Sequence, residues 1–180
     1  MKRALLYKFM ILAIFLVIVI FTGTGRCLEG TEYQIKGAMI LNFIKFVEWP
    51  HQENEQNRDI IIVGIFGQDN FGNMLANIEG RFISSKQIKI KRLNSLNGIS
   101  ECQVLFISAS ESFRTYQILQ EINGYPVLTI GEDKDFTRLG GIIRFYSEEN
   151  HIRFEINHTA AIKSDLKISA KLLEIARVIQ

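Results

Sequence analysis

Only two cysteines and two prolines occur in these 180 residues. At most one intramolecular disulfide can form, so the fold must rest on a packed core rather than on covalent staples. Pro50 and Pro126 sit between apolar segments, and no Pro/Gly-rich linker, internal repeat or low-complexity tract divides the chain. The histidines His51, His151 and His158 have no second ligand at metal-box spacing, so no metal is expected. Gly64, Gly67 and Gly72 match neither a dinucleotide fingerprint nor a P-loop, and no Lys-Ser/Thr pair closes them. Glu132, Asp133 and Asp135 lack EF-hand spacing and read as a solvated turn. Asn157-His158-Thr159 is a chance sequon. Cys102 and His158 belong to different apolar segments and make no nucleophile–base pair, so no catalytic residue and no cofactor are expected.

Charge of one sign is also scarce, except at the start. Lys2, Arg3 and Lys8 precede a 12-residue apolar run, Met10 to Phe21, and the small polar stretch Thr22 to Gly25 follows. That layout is a secretory signal, too short in its apolar part for the roughly 20 residues of a membrane span. The expected division is a leader over 1–27 and a single domain over 28–180, with cleavage after Gly25 or after Cys27. The alternative is an uncleaved anchor, the apolar run being extended back to Leu5. Arg26 before Cys27 argues against lipid attachment. Cys102 then either stays a free thiol or pairs with Cys27, depending on whether Cys27 survives.

Without Lys2, Arg3, Lys8 and Arg26, the 21 basic residues become 17 against 19 acidic ones, a faintly acidic chain. No dense Lys/Arg stripe remains, which excludes nucleic acid as a partner. The densest cluster, Lys86, Lys89, Lys91 and Arg92, alternates with Ile88, Ile90 and Leu93 and reads as the wet side of an edge-like strand.

Apolar periodicity supplies the elements. Ile35, Ala38, Met39, Phe43, Phe46 and Val47 keep helical spacing over 31–47, with Phe43, Phe46 and Trp49 expected to pack inward. Strands are expected at Ile60 to Phe66, Gln87 to Leu93, Val104 to Ile107 and Val127 to Ile130. Helices at Asn70 to Ile78 and Phe113 to Ile122 fall between them, the latter capped by Ser110 or Ser112. Ile142 to Tyr146 and an alternating strand, Ile152, Phe154 and Ile156 against Arg153, Glu155 and Asn157, should form an antiparallel hairpin. A final amphipathic helix is expected over Ser169 to Ile179. The fold class is α/β, a three-layer sandwich with a mostly parallel central sheet, a late antiparallel hairpin and flanking helices.

Two surfaces carry functional expectations. Open α/β sheets hold ligands at the carboxyl ends of parallel strands, here near Gly67, Ser108, Ser110 and Gly131. The polar row Arg153, Glu155 and Asn157, with Lys167 beyond it, is the candidate partner-binding face, Asn157 capping the turn into the last helix.

The segments Gly37 to Pro50 (GAMILNFIKFVEWP) and Gly140 to Ala176 (with GGIIRF and HIRFEINHTAAIKSDLKISAKLLEIA) rise above a generic α/β pattern. With GIFGQDNFGNML, IKIKRL, ECQVLFIS and YPVLTIGEDKDF in order between them, they resemble the YfiR family. The resemblance implies a periplasmic repressor in cyclic-di-GMP signalling and biofilm regulation. Such a protein binds the periplasmic domain of an inner-membrane diguanylate cyclase, forms a homodimer and is released by redox state or by an outer-membrane lipoprotein. Family members often pair a cysteine at the position of Cys102 with one on the first strand, and carry a second pair near the late hairpin. Neither partner exists here, since Ile60 to Phe66 and Gly140 to Ile156 contain no cysteine. The competing reading is a periplasmic small-ligand receptor acting on a sensor kinase or transport system.

Overall fold

The structure is a computed structural model and describes residues 25–50 and 59–179. The expected leader up to residue 24 and most of the polar stretch after Pro50 lie outside the described residues. In chain order the elements are α1 (Gly25–Phe46), β1 (Val47–Glu48), β2 (Ile60–Phe66), α2 (Asn73–Ile78), β3 (Phe82–Ile83), β4 (Lys86–Leu93) and β5 (Val104–Ile107). A 3-10 turn (Ala109–Arg114), α3 (Thr115–Glu121), β6 (Leu128–Gly131), β7 (Ile143–Glu148) and β8 (His151–Asn157) follow, then α4 (His158–Lys163), β9 (Lys167–Ile168), α5 (Ala170–Glu174) and β10 (Arg177–Ile179).

One eight-stranded sheet runs in the order β10-β8-β7-β6-β5-β2-β4-β3, and β1 pairs with β9 in a separate two-stranded sheet. The links β4–β2, β2–β5, β5–β6 and β6–β7 are parallel; β7–β8 and β3–β4 are antiparallel. Alternation along each central strand divides the core in two. Ile61, Val63, Ile65, Val104, Phe106, Leu128 and Ile130 pack under α1 and α2. Phe66, Leu105, Ile107 and Val127 pack under α3. Apolar runs covered on both faces are what a central parallel strand requires. The three-layer α/β sandwich with its late hairpin is therefore the fold.

Several elements differ from the sequence expectation, among them α4 and the β1–β9 pair, which apolar periodicity did not signal. The buried stripe of α1 is Tyr33, Lys36, Ile40, Phe43 and Ile44, continued by Val47 of β1, while Ile35 is exposed. The stripe is rotated because a lysine supplies one of its inward positions. Phe43 does pack inward, against Phe145 and Phe154. The α3 region is capped not by Ser110 or Ser112 but by Ser108, whose side chain accepts from the Ser110 N–H ahead of the 3-10 turn. The strand β3 adds a two-residue antiparallel edge beside β4.

The carboxyl terminus differs most. In place of one helix over 169–179 there is the short α5, capped by Ser169, and then β10, which pairs parallel with β8. Leu172 is buried, whereas Ile175 points to solvent. The β-branched Val178 and Ile179 favour extended backbone, and β8 offers them an open edge. Between β7 and β8 the turn residues Glu149 and Asn150 both adopt positive φ, 49° and 61°, the conformation of a two-residue hairpin that follows the sheet twist.

Candidate functional site

The carboxyl ends of the parallel strands converge with the first half of α1. Asn70 follows β2, Ala109 follows β5 and Glu132 follows β6, and all three reach one cluster centred on Lys36 and Tyr33. Lys36 donates to both Glu32, one turn earlier on α1, and Glu132. The Tyr33 hydroxyl donates to Glu132 Oε2 at 3.1 Å and accepts from Asn70 at 3.2 Å. The Ala109 N–H also donates to that oxygen, at 3.2 Å. The Lys36 ammonium lies 4.5 Å from the Tyr33 ring centroid.

Burial works against the charge on Lys36, but its bonds to Glu132 and Glu32 outweigh that penalty and hold its pKa above the usual lysine value. Burial likewise raises the Tyr33 pKa. Glu132 is thus no solvated turn residue. Its side chain is 10% exposed and every oxygen has a partner, with one ammonium, one hydroxyl and one backbone N–H. A cavity of about 330 Å³ lies over the cluster, bordered by Glu32, Ala109 and Tyr146.

Gly67, Ser108 and Ser110 are brought together next to this cluster, yet their polar groups are bonded within the chain. The Gly67 N–H donates to Leu93 O, the Ser108 N–H to Phe66 O, and Ser110 Oγ accepts from the Gln68 N–H at 3.0 Å. Gly67 has φ +90°, and a Cβ there would come within 2.5 Å of Glu111. Gly131, beside Ile107 in the β5–β6 register, serves packing instead. A Cβ on it would come within 2.3 Å of the buried Phe136 ring, so its role is to admit that ring.

The expected partner-binding residues divide into three. Arg153 is exposed and only loosely opposed by Glu148 at 3.8 Å. Glu155 is 5% exposed. It accepts from Arg144 at 2.8 Å and from Thr137 at 2.7 Å, and the Arg144 guanidinium and these hydrogen bonds hold its carboxyl below the usual range despite burial. Asn157 is half-buried and caps α4, not the last helix. It accepts from the Ala160 N–H at 2.8 Å and donates to Thr137 O at 2.9 Å. Lys167 is exposed on β9, opposite Glu48, away from the β8 row. The expectation of one wetted face on β8 fails, because the 132–141 loop covers Glu155.

Beside Arg153 a groove of about 470 Å³ runs between the β7–β8 hairpin and the chain end, lined by Met39, Ile152, Glu174, Ile175 and Arg177. Ile175 is 72% exposed there, and Val178 on β10 is 43% exposed. A larger groove, about 610 Å³, lies between α1 and α2 and carries Gln34, Asn73, Asn77 and Arg81.

Cys102 is a buried free thiol. Burial pushes its pKa up to about 11. The first-strand residue facing it is Gly64, whose Cβ would stand 2.7 Å from the sulfur, so the position that a bridge from β2 would need is held by glycine. Cys27 lies in the first turn of α1.

Sequence reasoning missed Tyr33, Lys36 and Glu132. Two signals pointed to them: a lysine inside an apolar helical stripe, and the Glu32–Lys36 spacing of four. Among the described residues no group of three His, Cys, Asp or Glu side chains is placed to hold a metal ion, and no helix is long and apolar enough to cross a membrane. No curated protein matches the chain. A family model described as YfiR/HmsC-like does match, over residues 33–177, which takes in Tyr33, Lys36, Glu132, the hairpin and Arg177. The chain belongs to the YfiR/HmsC-like family, whose members are periplasmic, non-catalytic regulators of diguanylate cyclase signalling.

Proposed function

We propose that this chain represses an inner-membrane diguanylate cyclase by gripping its periplasmic domain with the β8–β10 end of the sheet. The observation that carries the reading is a contrast in how polar groups are used. At the carboxyl ends of the parallel strands, where a small ligand would sit, the chain's own Lys36, Glu132 and Tyr33 satisfy one another. At the β8–β10 end, Arg153 and Arg177 flank a groove with Ile175 exposed beside it. An apolar anchor within a charged rim is the composition of a partner surface.

Arg153 and Arg177 would steer and orient the cyclase domain, and Ile175 would supply apolar burial. Glu155 serves from inside, fixing Arg144 on β7. Asn157 fixes the start of α4, and Lys167 adds an exposed charge on β9, apart from this groove. Repression follows if the grip favours the inactive arrangement of the cyclase. A hundredfold preference needs only about 2.7 kcal/mol of differential binding. The same reading takes a homodimer as the bound form and an outer-membrane lipoprotein as the competitor that lifts repression.

The test is cyclic-di-GMP output in cells carrying the cognate cyclase. Deleting the chain should raise output, and an Arg153→Ala/Arg177→Ala variant that folds and exports normally should fail to lower it again. Full repression by that variant would remove this face from the account.

The ligand-receptor reading rests on the cavity above Lys36, bordered by Glu32 and Tyr146. Calorimetry of the purified chain against small periplasmic metabolites, with and without Lys36→Met, is its test; heat that persists unchanged in the variant counts against this site.

A further inference from the structure

The β3–β4 hairpin carries most of the molecule's concentrated positive charge, and neither the fold nor the proposed grip uses it. Residues 79–93 contain five cations, Arg81, Lys86, Lys89, Lys91 and Arg92, and one carboxylate, Glu79. The rest of the chain from residue 28 onward holds 12 basic against 18 acidic residues. The molecule is therefore electrically polarised, with a positive hairpin on an acidic body.

Lys91 and Arg92 are neutralised by Glu101 at 2.7 Å and Asp69 at 2.8 Å. Arg81, Lys86 and Lys89 have no ion-pair partner among the described residues; Glu79 and Asp59 are the remaining carboxylates along this stretch. Phe82 stands among these cations and is 67% exposed. The register Phe82↔Gln87, with side chains alternating along the strand, puts Phe82 on the same face as Lys89 and Lys91, and Lys86 on the reverse. An edge strand needs lysines to discourage pairing with another strand. It does not need a bare aromatic ring between them.

We propose that this hairpin docks on the anionic headgroup layer of the phospholipid membrane. Lysine and arginine stems can reach phosphates on either side of the strand, while the Phe82 ring enters the headgroup boundary. Phe82, Lys86 and Lys89 line none of the three cavities described above. A projecting edge with charge around one aromatic ring suits a flat anionic layer better than a shaped protein pocket. The strands β3 and β10 are the two opposite edges of the sheet, so a membrane-bound hairpin leaves the β8–β10 groove free.

The test is flotation of the chain, isolated from the periplasmic fraction, with vesicles of phosphatidylcholine alone or with 30 mol% phosphatidylglycerol, about that fraction being enough to give a negative surface. Binding should require phosphatidylglycerol and weaken with salt. Each unpaired cation near such a surface accounts for roughly fivefold in binding, so Lys86→Gln/Lys89→Gln should lower it at least about tenfold. Phe82→Ala should lower it less, and circular dichroism should show both variants folded. Lys86→Glu/Lys89→Glu should abolish it. Binding to phosphatidylcholine as strong as to the mixture, or equal binding by wild type and all three variants, would overturn the proposal. So would wild-type protein that ignores vesicles yet loses affinity for the cyclase periplasmic domain through the same substitutions, which would assign the hairpin to a protein partner.

Discussion

The strands β4 and β8 carry the same alternating sequence pattern and meet different fates. In β4 the odd positions Lys89 and Lys91 face water while Ile88 and Ile90 are buried. In β8 the polar Glu155 lies between the buried Phe154 and Ile156 and is itself buried, under the 132–141 loop. Alternation reports which face is apolar; it does not report whether the other face meets solvent. A carboxylate between two apolar residues is wet only if nothing covers it, and here Thr137 and Arg144 do.

The largest expected effect comes from removing that covered carboxylate. Glu155→Ala leaves the Arg144 guanidinium and the Thr137 hydroxyl without their acceptor, and should cost about 3 kcal/mol in urea unfolding. Lys89→Ala, at the matching place on β4, should stay within about 0.5 kcal/mol. Equal losses would break the comparison. The pH dependence sharpens it. The Glu155 pKa is lowered by folding, so its stabilisation is present above the unfolded carboxylate value of about 4.3 and is lost as pH falls through the lower folded value. Glu155→Gln should therefore lose less stability than wild type as pH falls from 5 to 3, to be read by thermal melts.

Next in size is Lys36→Met, which keeps the apolar packing of α1 but leaves Glu132 with only Tyr33 and Ala109 as donors. About 2 kcal/mol of stability should go. Because folding raises the Lys36 pKa, its contribution is present below about pH 10.4 and fades as pH rises through the folded value, so wild type and variant should converge in strong alkali. A wild-type–variant gap that stays constant into strong alkali would show that Lys36 is not held by its charge.

The smallest effect concerns Cys102. With its pKa near 11, roughly a thousandth of the thiol is ionised at pH 8, and alkylation should follow global unfolding. Labelling at the rate of an exposed thiol in the folded chain would contradict its burial.

Much of the parallel sheet was legible in the residues. Ile60 to Phe66 and Val104 to Ile107 have the expected bounds, because apolar runs rich in β-branched residues, interrupted only by Gly64 and bordered by Gly67 or Ser108, leave little choice of conformation. The carboxyl terminus was not legible, since Leu172, Leu173, Ile175 and Ala176 fit a helical stripe and only the open edge of β8 decides that Arg177–Ile179 extend. The ends of the parallel strands were legible as a place but not as a cluster. Gly67, Ser108 and Ser110 do meet there, yet the charge that fills the place comes from Lys36 on a distant segment, which spacing along one strand cannot reveal. Arg153 was legible as exposed, and Arg177 as its neighbour was not, for the same reason that β10 was missed.

The central claim is that the β8–β10 end grips the cyclase while the ends of the parallel strands hold only the chain itself. Titrating the periplasmic domain of the cognate cyclase with wild type, Arg153→Glu/Arg177→Glu and Lys36→Met, by calorimetry at one salt concentration, tests it directly. The arginine variant should bind at least about tenfold more weakly, since charge reversal at an interface costs several times the loss of a rim contact, and the lysine variant should bind like wild type. The opposite order, with Lys36→Met crippled and the arginine variant intact, would contradict the account.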